Sequence, residues 1–310
     1  MKIVILDADT LGDCDLSVIE SLGEVVSYGF TRPNEALTRC EDAEIVLTNK
    51  VVLDREILSQ LPKLKLICIT ATGMNNVDLE YAAQKGIEVK NVAGYSTDSV
   101  AQHTLSMVLY FLSRLGYYDE YCKSGAWCKS EIFVHINGGL RELKGLEWGI
   151  IGFGAIGKRV GELAKCFGAN VSYYSTSGQN NQSEYMRKDL ESLLSSSDII
   201  SIHAPLNAQT KNLLNRSNLG LIKDGALLIN VGRGGIVNEE DIAELLKTKD
   251  MYFGADVLEV EPMRAKHVFL DKAIAHKLLL TPHVAWAYDQ ARKRLLEQTA
   301  HNIASFKEKL

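Results

Sequence analysis

The fold of this chain is decided by one stretch of sequence, Glu147-Trp148-Gly149-Ile150-Ile151-Gly152-Phe153-Gly154-Ala155-Ile156-Gly157. Residues 148–151 form a short apolar run, which is typical of a strand buried inside a parallel sheet. Residues 158–164 continue with the pattern of a helix. A glycine-rich turn between a buried strand and a helix predicts a doubly wound α/β domain.

The three glycines of this turn serve separate purposes in such a domain. Gly152 allows the tight turn, Gly154 lets the backbone approach a pyrophosphate, and Gly157 lets the helix pack closely on the strand. Amide groups at the start of the helix, from Ala155 and Ile156, would hold the phosphates. The turn therefore predicts that the chain binds a dinucleotide, and an ordinary surface turn is the weaker interpretation.

The composition is that of an ordinary globular protein and argues against several classes of function. Hydrophobic residues make up 46% of the 310 residues and charged residues 24%, and the length predicts two domains. The net charge of -5 gives no basic surface for nucleic acid or an anionic membrane. No apolar run reaches the length of a membrane span, and the six cysteines include no Cys-x-x-Cys pair. We expect a cytoplasmic protein with free thiols and no metal site.

Short apolar segments alternate with amphipathic ones along the first hundred residues. The predicted strands are Lys2–Asp7, Val25–Tyr28, Glu44–Asn49, Lys65–Thr70 and Ile87–Val89, and helices are predicted over 54–60 and 79–84. Apolar strands separated by helices are typical of a parallel sheet that is covered on both faces.

A second series of strands follows a predicted helix over 97–115 and a loop that contains Gly125, Trp127, Gly138 and Gly139. Its strands are predicted at Glu147–Ile151, Asn170–Ser175, Asp198–His203, Ala226–Val231, Tyr252–Val257 and Lys277–Thr281. Six strands with intervening helices fit a doubly wound dinucleotide domain. A last helix, over about 288–308, is long enough to cross back and pack on the first domain.

The residue that should bind the adenosine ribose lies about twenty positions beyond the glycines, at the end of the second strand. That residue is Ser175. A carboxylate here would accept both ribose hydroxyls and repel a 2′-phosphate, whereas a serine does neither strongly. Arg187 and Lys188 are too distant in sequence to be assigned to this site. The choice between NAD and NADP is therefore open.

Arg233 lies at the carboxyl edge of the predicted sheet, where ligands of open α/β sheets bind. It follows an apolar strand within a turn bordered by glycines, Asn230-Val231-Gly232-Arg233-Gly234. Its guanidinium group can bind a carboxylate through two parallel hydrogen bonds. This position favours a carboxylate clamp over an ordinary surface arginine.

His283 follows another apolar strand, 278–281. Imidazole titrates near neutral pH, so it can give a proton to a carbonyl oxygen as hydride reaches the carbon. A carboxylate beside the histidine would orient the ring and set its tautomer. Glu261 and Glu259 are both candidates, and the residues alone do not separate them. His203 closes a further strand and could line the cofactor site.

Taken together, these motifs and several others resemble the D-isomer-specific 2-hydroxyacid dehydrogenases over essentially the whole chain. The resemblance rests on the segments Ala71-Thr72-Gly73-Met74-Asn75-Asn76-Val77-Asp78, Val100-Ala101-Gln102-His103-Thr104, Gly152–Gly157, His203-Ala204-Pro205-Leu206, Asn230–Gly234, Asp256-Val257-Leu258-Glu259-Val260-Glu261-Pro262 and Thr281-Pro282-His283. It implies an enzyme that transfers hydride between a nicotinamide cofactor and a small 2-hydroxy acid.

The resemblance also assigns roles to single residues. It selects Glu261 as the partner of His283, the proton donor, and makes Arg233 the carboxylate clamp. It places the substrate carboxylate on backbone amides of the loop formed by Thr72, Gly73 and Met74. The implied cofactor site comprises Thr104, Gly152, Gly154, Ala155, Ile156, Gly157, Ser175, His203, Ala204, Pro205, Val231, Gly232, Arg233, Asp256 and His283, with Asp256 on the nicotinamide carboxamide. NAD is the expected cofactor, and NADP stays open because Ser175 stands where NAD-preferring members carry aspartate.

An inserted architecture of two Rossmann-like, doubly wound domains is implied as well. A flavodoxin-like substrate-binding domain would comprise residues 1–98 and 287–310, and a dinucleotide-binding domain residues 99–286, with the site in the cleft. The resemblance further implies a homodimer that forms through the cofactor domain and the segment over about 97–139.

Finer similarity points to the glycerate dehydrogenase and hydroxypyruvate reductase branch, through the segments Asp7–Gly12, Leu47–Lys50 and His283–Ala287. Trp286 would wall a small polar substrate pocket, and a core tryptophan at a helix start is an equal alternative. We therefore predict reduction of hydroxypyruvate or glyoxylate to D-glycerate or glycolate. A D-lactate dehydrogenase-like enzyme and a dinucleotide-sensing corepressor of the same fold are the alternatives. Phosphoglycerate ranks low because no basic cluster is present for a substrate phosphate.

Overall fold

Two separate parallel sheets form the framework of this protein, whose computed structural model describes residues 1–181 and 184–309. The chain divides into a first unit, residues 1–96 and 286 onward, and a second unit, Thr97–Ala285, which is inserted in sequence between the two parts of the first. The boundaries lie one or two residues before the predicted ones, because Thr97 begins a helix of the second unit and Trp286 packs on Tyr95 of the first. The assignment of substrate to one unit and cofactor to the other stays a prediction.

The first unit is built on a five-stranded sheet. Its strands are β1 (Lys2–Ile5), β2 (Glu24–Ser27), β3 (Ile45–Thr48), β4 (Leu66–Ile69) and β5 (Glu88–Lys90), in the order β2-β1-β3-β4-β5. Every pairing is parallel. This is the flavodoxin-like strand order.

The second unit is built on a seven-stranded sheet, again with parallel pairings throughout. Its strands are β6 (Glu147–Ile151), β7 (Asn170–Tyr174), β8 (Met186–Arg187), β9 (Ile199–Ile202), β10 (Ala226–Asn230), β11 (Met251–Ala255) and β12 (Leu278–Leu280). The order is β12-β11-β10-β9-β6-β7-β8, so the chain winds outward in both directions from the β6–β9 pair. The doubly wound α/β fold predicted for both halves is confirmed.

Strand β8 is the element that the sequence pattern does not predict. It is only two residues long, and both of them are exposed, so it carries neither an apolar run nor a clear alternation. All the predicted strands are present, with ends that differ by at most two residues.

Helices cover both sheets. They are α1 (Ser17–Glu20), α2 (Ala36–Cys40), α3 (Arg55–Ser59), α4 (Leu79–Gln84), α5 (Thr97–Leu112), α6 (Leu115–Lys123), α7 (Ala155–Cys166), α8 (Leu190–Ser196), α9 (Glu239–Thr248) and α10 (Asp289–Lys307). Helix α10 returns to the first unit, where Leu295 and Ile303 share a core with Ile3 and Ile5 of β1. Within the described part of the chain, no helix is both long and apolar enough to cross a membrane.

The helix predicted over 97–115 is α5, which ends three residues early, and the sequence pattern did not predict the second helix, α6, that follows it. Helix α5 ends at Leu112, and Arg114 adopts a left-handed backbone conformation with φ of 50°, which an α-helix does not accommodate. The Arg114 side chain donates hydrogen bonds to the carbonyl oxygens of Asn137 and Gly138 and so ties the break to the loop that follows α6. A helical sequence pattern does not reveal this long-range tie.

Candidate active site

Most of the predicted site residues lie in one row along the second sheet. In sheet order the row contains His283 (after β12), Asp256 and Glu261 (after β11), Arg233 (after β10), His203 (after β9), Gly152 (after β6) and Ser175 (after β7). Adjacent strands lie about 4.8 Å apart, so the row is about 24 Å long. Because the strands are parallel, all these residues stand at the same edge, where open α/β sheets bind ligands.

The glycine turn at the middle of this row has room for a ligand and none for side chains. A Cβ atom at Gly152 would lie 2.6 Å from Ala204 N, and one at Gly157 would lie 2.3 Å from Gly152 O. A Cβ atom at Gly154 would meet no atom within 4 Å. Gly154 is also the N-cap of α7 and provides no side-chain acceptor, so the first amides of that helix remain available. The turn therefore fits the diphosphate of a dinucleotide.

Ser175 ends the row on the β7 side. It is buried, and its Oγ atom accepts a hydrogen bond from Asn180 N at 3.3 Å. Arg187 of β8 reaches the same loop, with Nη1 3.5 Å from Asn180 O. Neighbouring Lys188 instead donates to Ser196 Oγ at 2.8 Å. Sequence distance had set Arg187 aside, and the pairing of β8 with β7 brings it beside the loop that follows Ser175.

Asn230 shapes the turn that carries Arg233. The Asn230 side chain donates to Arg233 O at 3.0 Å and accepts from Gly232 N at 3.1 Å. A Cβ atom at Gly234 would lie 1.9 Å from the backbone of Leu258, so only glycine lets this turn pack against the loop after β11. Arg233 Nη1 donates to Gly232 O at 2.8 Å, and Arg233 forms no ion pair with any described residue.

The carboxylate that contacts His283 is that of Glu261. Glu261 Oε2 lies 2.7 Å from His283 Nδ1, and Glu261 Oε1 accepts from Leu258 N at 2.9 Å. Among the described residues, no hydrogen bond joins Glu259 to His283, and the backbone amide of Glu259 donates to Glu239 Oε1 at 2.7 Å. A carboxylate only accepts, so His283 carries its hydrogen on Nδ1 and presents Nε2 as the other polar atom of the ring.

Asp256 holds the loop that carries His283. His283 has a left-handed φ of 56°, which is uncommon for a residue other than glycine. Its amide donates to Asp256 O at 2.8 Å, and the buried Asp256 carboxylate accepts from Val284 N and Ala285 N, each at 2.9 Å. Thr281 Oγ1 also donates to this carboxylate, at 2.5 Å. This anchoring role was not predicted, and the contact of Asp256 with the nicotinamide carboxamide stays a prediction.

His103 supports the same loop from α5. Its Nε2 atom lies 3.1 Å from Thr281 Oγ1, which already donates its hydrogen to Asp256, so His103 is the donor. Burial lowers the pKa of His103. The sequence offered no signal for this contact, because the two residues are far apart along the chain.

His203 lies at the centre of the row, and burial lowers its pKa to about 3. Its Nε2 atom is 3.0 Å from Ser201 Oγ, which accepts a hydrogen bond from Trp148 Nε1 at 2.9 Å. The Nδ1 atom of His203 is buried and has no hydrogen-bond partner among the described residues.

The geometry agrees with a comparison against known families. Residues 105–285 match the model described as D-isomer specific 2-hydroxyacid dehydrogenase, NAD binding domain. This chain belongs to that family. The dehydrogenase is therefore an oxidoreductase that acts on 2-hydroxy acids with a nicotinamide cofactor.

Relatives cover the dehydrogenase from end to end. A hydroxypyruvate reductase of Blautia hydrogenotrophica is 34% identical over 316 residues, which span 99% of this chain and 97% of the relative. A glycerate dehydrogenase of Methylorubrum extorquens is also 34% identical, over 98% of this chain and 96% of its own. The crystal structure of the TT0316 protein from Thermus thermophilus superposes with a TM-score of 0.87 at 30% identity, covering 99% and 97% of the two chains.

Four predicted substrate residues of the dehydrogenase belong to the first unit. Thr72, Gly73 and Met74 follow β4, where Thr72 Oγ1 donates to Val92 O at 3.2 Å. Trp286 is half-buried in the core of this unit, with its ring edge-on to Tyr95 at a centroid distance of 6.3 Å. Their contact with substrate stays a prediction.

The remaining cofactor residues predicted for the dehydrogenase have different environments. Gly232 lies against the backbone of Ala204, since a Cβ atom at Gly232 would be 3.0 Å from Ala204 O. Pro205 is exposed next to Ala204, and Val231 is buried at the end of β10. Thr104 is fully buried in α5, where its hydroxyl donates to Val100 O at 2.8 Å. Among the described residues, no hydrogen bond joins Thr104 to the row.

Proposed function

We propose that this dehydrogenase reduces hydroxypyruvate or glyoxylate to D-glycerate or glycolate. The observation that carries the proposal is the contact between Glu261 and His283, beside a turn that presents an arginine without an ion-pair partner among the described residues. Relatives named hydroxypyruvate reductase and glycerate dehydrogenase, matched over nearly their full length, support this substrate class.

Arg233 is the proposed clamp for the substrate carboxylate. Its guanidinium group has five N–H donors, and among the described residues it donates only to Gly232 O. The remaining donors suit a carboxylate in the planar, two-point geometry that arginine favours. Bound in this way, a 2-oxo acid would keep its C2 carbonyl at a constant position along the edge of the sheet.

His283 is the proposed proton donor to the C2 oxygen. Glu261 occupies Nδ1, so the proton that leaves the ring is the one on Nε2. Glu261 also stabilises the imidazolium form, which must be present before the transfer. When bound, the reduced nicotinamide would supply hydride to C2. The reverse reaction uses the same groups, with His283 accepting the proton.

The cofactor would lie along the row of strand ends. We propose the diphosphate at Gly152–Gly157 and the adenosine ribose at Ser175, with the nicotinamide towards Asp256 and His283. Backbone amides of the Thr72–Met74 loop and the ring of Trp286 are the proposed substrate contacts from the first unit.

We further propose that the enzyme accepts NADP(H) as well as NAD(H). Ser175 has no carboxylate to repel a 2′-phosphate, and Arg187 brings a positive charge without an ion-pair partner among the described residues to the same loop. Arg187→Ala should weaken NADPH binding about tenfold and leave NADH binding unchanged. Lys188→Ala is the matched control, because Lys188 is directed to Ser196. Equal losses for both cofactors would contradict the role of Arg187.

A steady-state panel of hydroxypyruvate, glyoxylate and pyruvate, each with NADH and NADPH, tests the proposed reaction. We expect the highest kcat/KM with hydroxypyruvate or glyoxylate. Pyruvate as the best substrate would make the protein a D-lactate dehydrogenase. Tight dinucleotide binding without oxidation of either cofactor would favour a corepressor-like binding protein.

His283→Gln tests the proposed proton donor. This variant should lower kcat by roughly 10²- to 10⁴-fold without changing the dinucleotide Kd, and near-normal turnover would refute the assignment of His283.

We propose that the enzyme is a homodimer. Large apolar side chains are exposed in the segment between α5 and β6, and Phe133 and Ile136 are 89% and 74% exposed. Trp127, Ile132 and Leu140 of the same segment are exposed as well. A concentration of exposed apolar groups is typical of an interaction surface, and a second copy of the chain is the proposed partner.

A cytoplasmic location is also part of the proposal. All six cysteines are free. Free thiols persist in a reducing compartment, and disulfides are rare there.

A further inference from the structure

A chain of three buried polar groups connects the first strand of the second unit to the centre of the site row. The indole Nε1 of Trp148, in β6, donates to Ser201 Oγ at 2.9 Å, and Ser201 Oγ lies 3.0 Å from His203 Nε2. Trp148 and Ser201 are fully buried. The chain is therefore shielded from exchange with solvent at its inner end.

The chemistry of the first two groups determines which nitrogen of His203 carries the hydrogen. An indole N–H only donates, so Ser201 Oγ accepts from Trp148 and must place its own hydrogen elsewhere. Among the described residues, His203 Nε2 is the one other group within hydrogen-bond distance of this hydroxyl, and a buried hydroxyl hydrogen is rarely left without an acceptor. Nε2 therefore accepts, and a neutral ring then carries its hydrogen on Nδ1.

This assignment places the ring hydrogen on Nδ1, the nitrogen of His203 for which no hydrogen-bond partner is observed among the described residues. Nδ1 is buried and has no partner among the described residues, although buried donors in proteins are nearly always hydrogen-bonded. Ser201 fixes the orientation of the ring through Nε2, and the Nδ1–H group on the other side has no acceptor among the described residues. This N–H group is therefore positioned to donate to an acceptor on a bound ligand.

The position of His203 indicates which ligand brings that acceptor. His203 follows β9, and the glycine turn follows β6, the strand beside it. The two segments are in contact, because a Cβ atom at Gly152 would lie 2.9 Å from His203 C. The order of the strands reverses at this pair, and ligands of doubly wound sheets bind at such a point.

We propose that Trp148 and Ser201 are positioning residues that hold His203 as its Nδ1–H tautomer, so that this N–H donates to an oxygen of the bound dinucleotide. The proposal rests on the proposed function, since it requires that the glycine turn binds a dinucleotide. It goes beyond a general contact by His203, because it names the donating atom and the two residues that select it. Burial keeps the pKa of His203 at about 3, so the neutral donor persists throughout the physiological pH range.

Nitrogen-15 NMR of the histidine rings in the full-length protein, with and without NADH or NADPH, tests the tautomer. We expect His203 as the Nδ1–H form at pH 7, with a change in the Nδ1 resonance when the dinucleotide binds. In Ser201→Ala, we expect a shift towards the Nε2–H form and a dinucleotide Kd raised about tenfold, as for one lost hydrogen bond.

Ser172→Ala is the matched control. Ser172 is a buried serine of β7 in the same sheet, and its hydroxyl has no hydrogen-bond partner among the described residues. This variant should keep both the His203 tautomer and the dinucleotide Kd. An unchanged tautomer and equal Kd values for Ser201→Ala and Ser172→Ala would overturn the inference while leaving the proposed function intact.

Two substitutions at position 203 distinguish the role of Nδ1 from that of Nε2. The amide of His203→Asn places a donor near the position of Nδ1, whereas that of His203→Gln reaches towards Nε2. We expect His203→Asn to keep most of the dinucleotide affinity and His203→Gln to lose about tenfold. Equal affinities of these two variants would refute the assignment of Nδ1. A wild-type protein that binds no dinucleotide would instead refute the proposed function itself.

Discussion

Glu261 must satisfy two hydrogen-bond donors, the amide of Leu258 and the Nδ1–H group of His283. Glu261→Gln leaves one carbonyl oxygen for both donors and removes the charge that stabilises a protonated His283. We expect kcat to fall on the order of 10²-fold, with little change in dinucleotide Kd. Glu259→Gln is the control, because among the described residues no hydrogen bond or ion pair joins Glu259 to His283, and turnover of this variant should stay near wild type. Equal losses in the two variants would contradict the role given to Glu261.

His203 gives a second prediction, which concerns stability. Burial lowers its pKa to about 3 in the folded protein, while an unfolded histidine has a pKa of about 6.5. Between these values the unfolded state binds more protons, so the free energy of unfolding falls as the pH drops below about 6.5. The contribution is about 1.4 kcal/mol per pH unit, or about 2 kcal/mol between pH 6.5 and 5.

Urea denaturation at pH 6.5 and pH 5 measures this contribution. The decrease in the free energy of unfolding should be smaller in His203→Asn than in the wild type by about 2 kcal/mol, because asparagine does not titrate. His103, whose pKa burial also lowers, is present in both proteins and cancels in the comparison. Identical pH slopes would show that His203 is not kept neutral by burial.

Two loops that follow neighbouring strands are joined at Gly234. The turn after β10 carries Arg233, the loop after β11 carries Glu261, and the missing side chain of Gly234 lets them touch. In Gly234→Ala, a Cβ atom would lie 1.9 Å from the backbone of Leu258, so the loops must separate. We expect at least a tenfold loss of kcat/KM and a destabilisation of about 1–3 kcal/mol, measured by kinetics and denaturation.

Gly220→Ala is the control for this substitution. A Cβ atom at Gly220 meets nothing within 4 Å, and its backbone is not left-handed. Activity and stability should therefore stay close to wild type. A Gly234→Ala variant that behaves like Gly220→Ala would show that the contact between the two loops does not set the site.

The exposed apolar segment between α5 and β6 concerns the whole molecule. If it forms the interface of a homodimer, Phe133→Asp would bury an unpaired charge there and should convert the dimer to a monomer. Size-exclusion chromatography with light scattering measures the mass directly. Phe30→Asp, at another exposed phenylalanine in the first unit, should leave the mass unchanged. A wild-type protein that is already monomeric would refute the dimer.

Features that depend on neighbouring residues could be predicted well from the sequence. Every predicted strand is present in the structure, and the glycines of residues 152–157 correctly predicted a turn. Both signals are local, because they depend only on residues that are close together in the sequence. Strand β8 and the break at Arg114 were missed since pairing with β7 and a tie to residues 137–138 create them. Neither partner is near in sequence.

The sequence by itself determined the fold class, since periodicity and glycine spacing specify which segments are strands and where they turn. Its motifs carried the resemblance to the family and placed the candidate site at the strand ends. Tertiary structure decided which groups meet. The resemblance had selected Glu261 over Glu259, and the structure places Glu261 against His283. The fold alone directed the Asp256 carboxylate to the amides of Val284 and Ala285. It also brought Arg187 to the loop after Ser175 and joined Trp148 to His203 through Ser201. These contacts follow from the order of strands in the sheet, and that order depends on the packing of segments far apart in the chain.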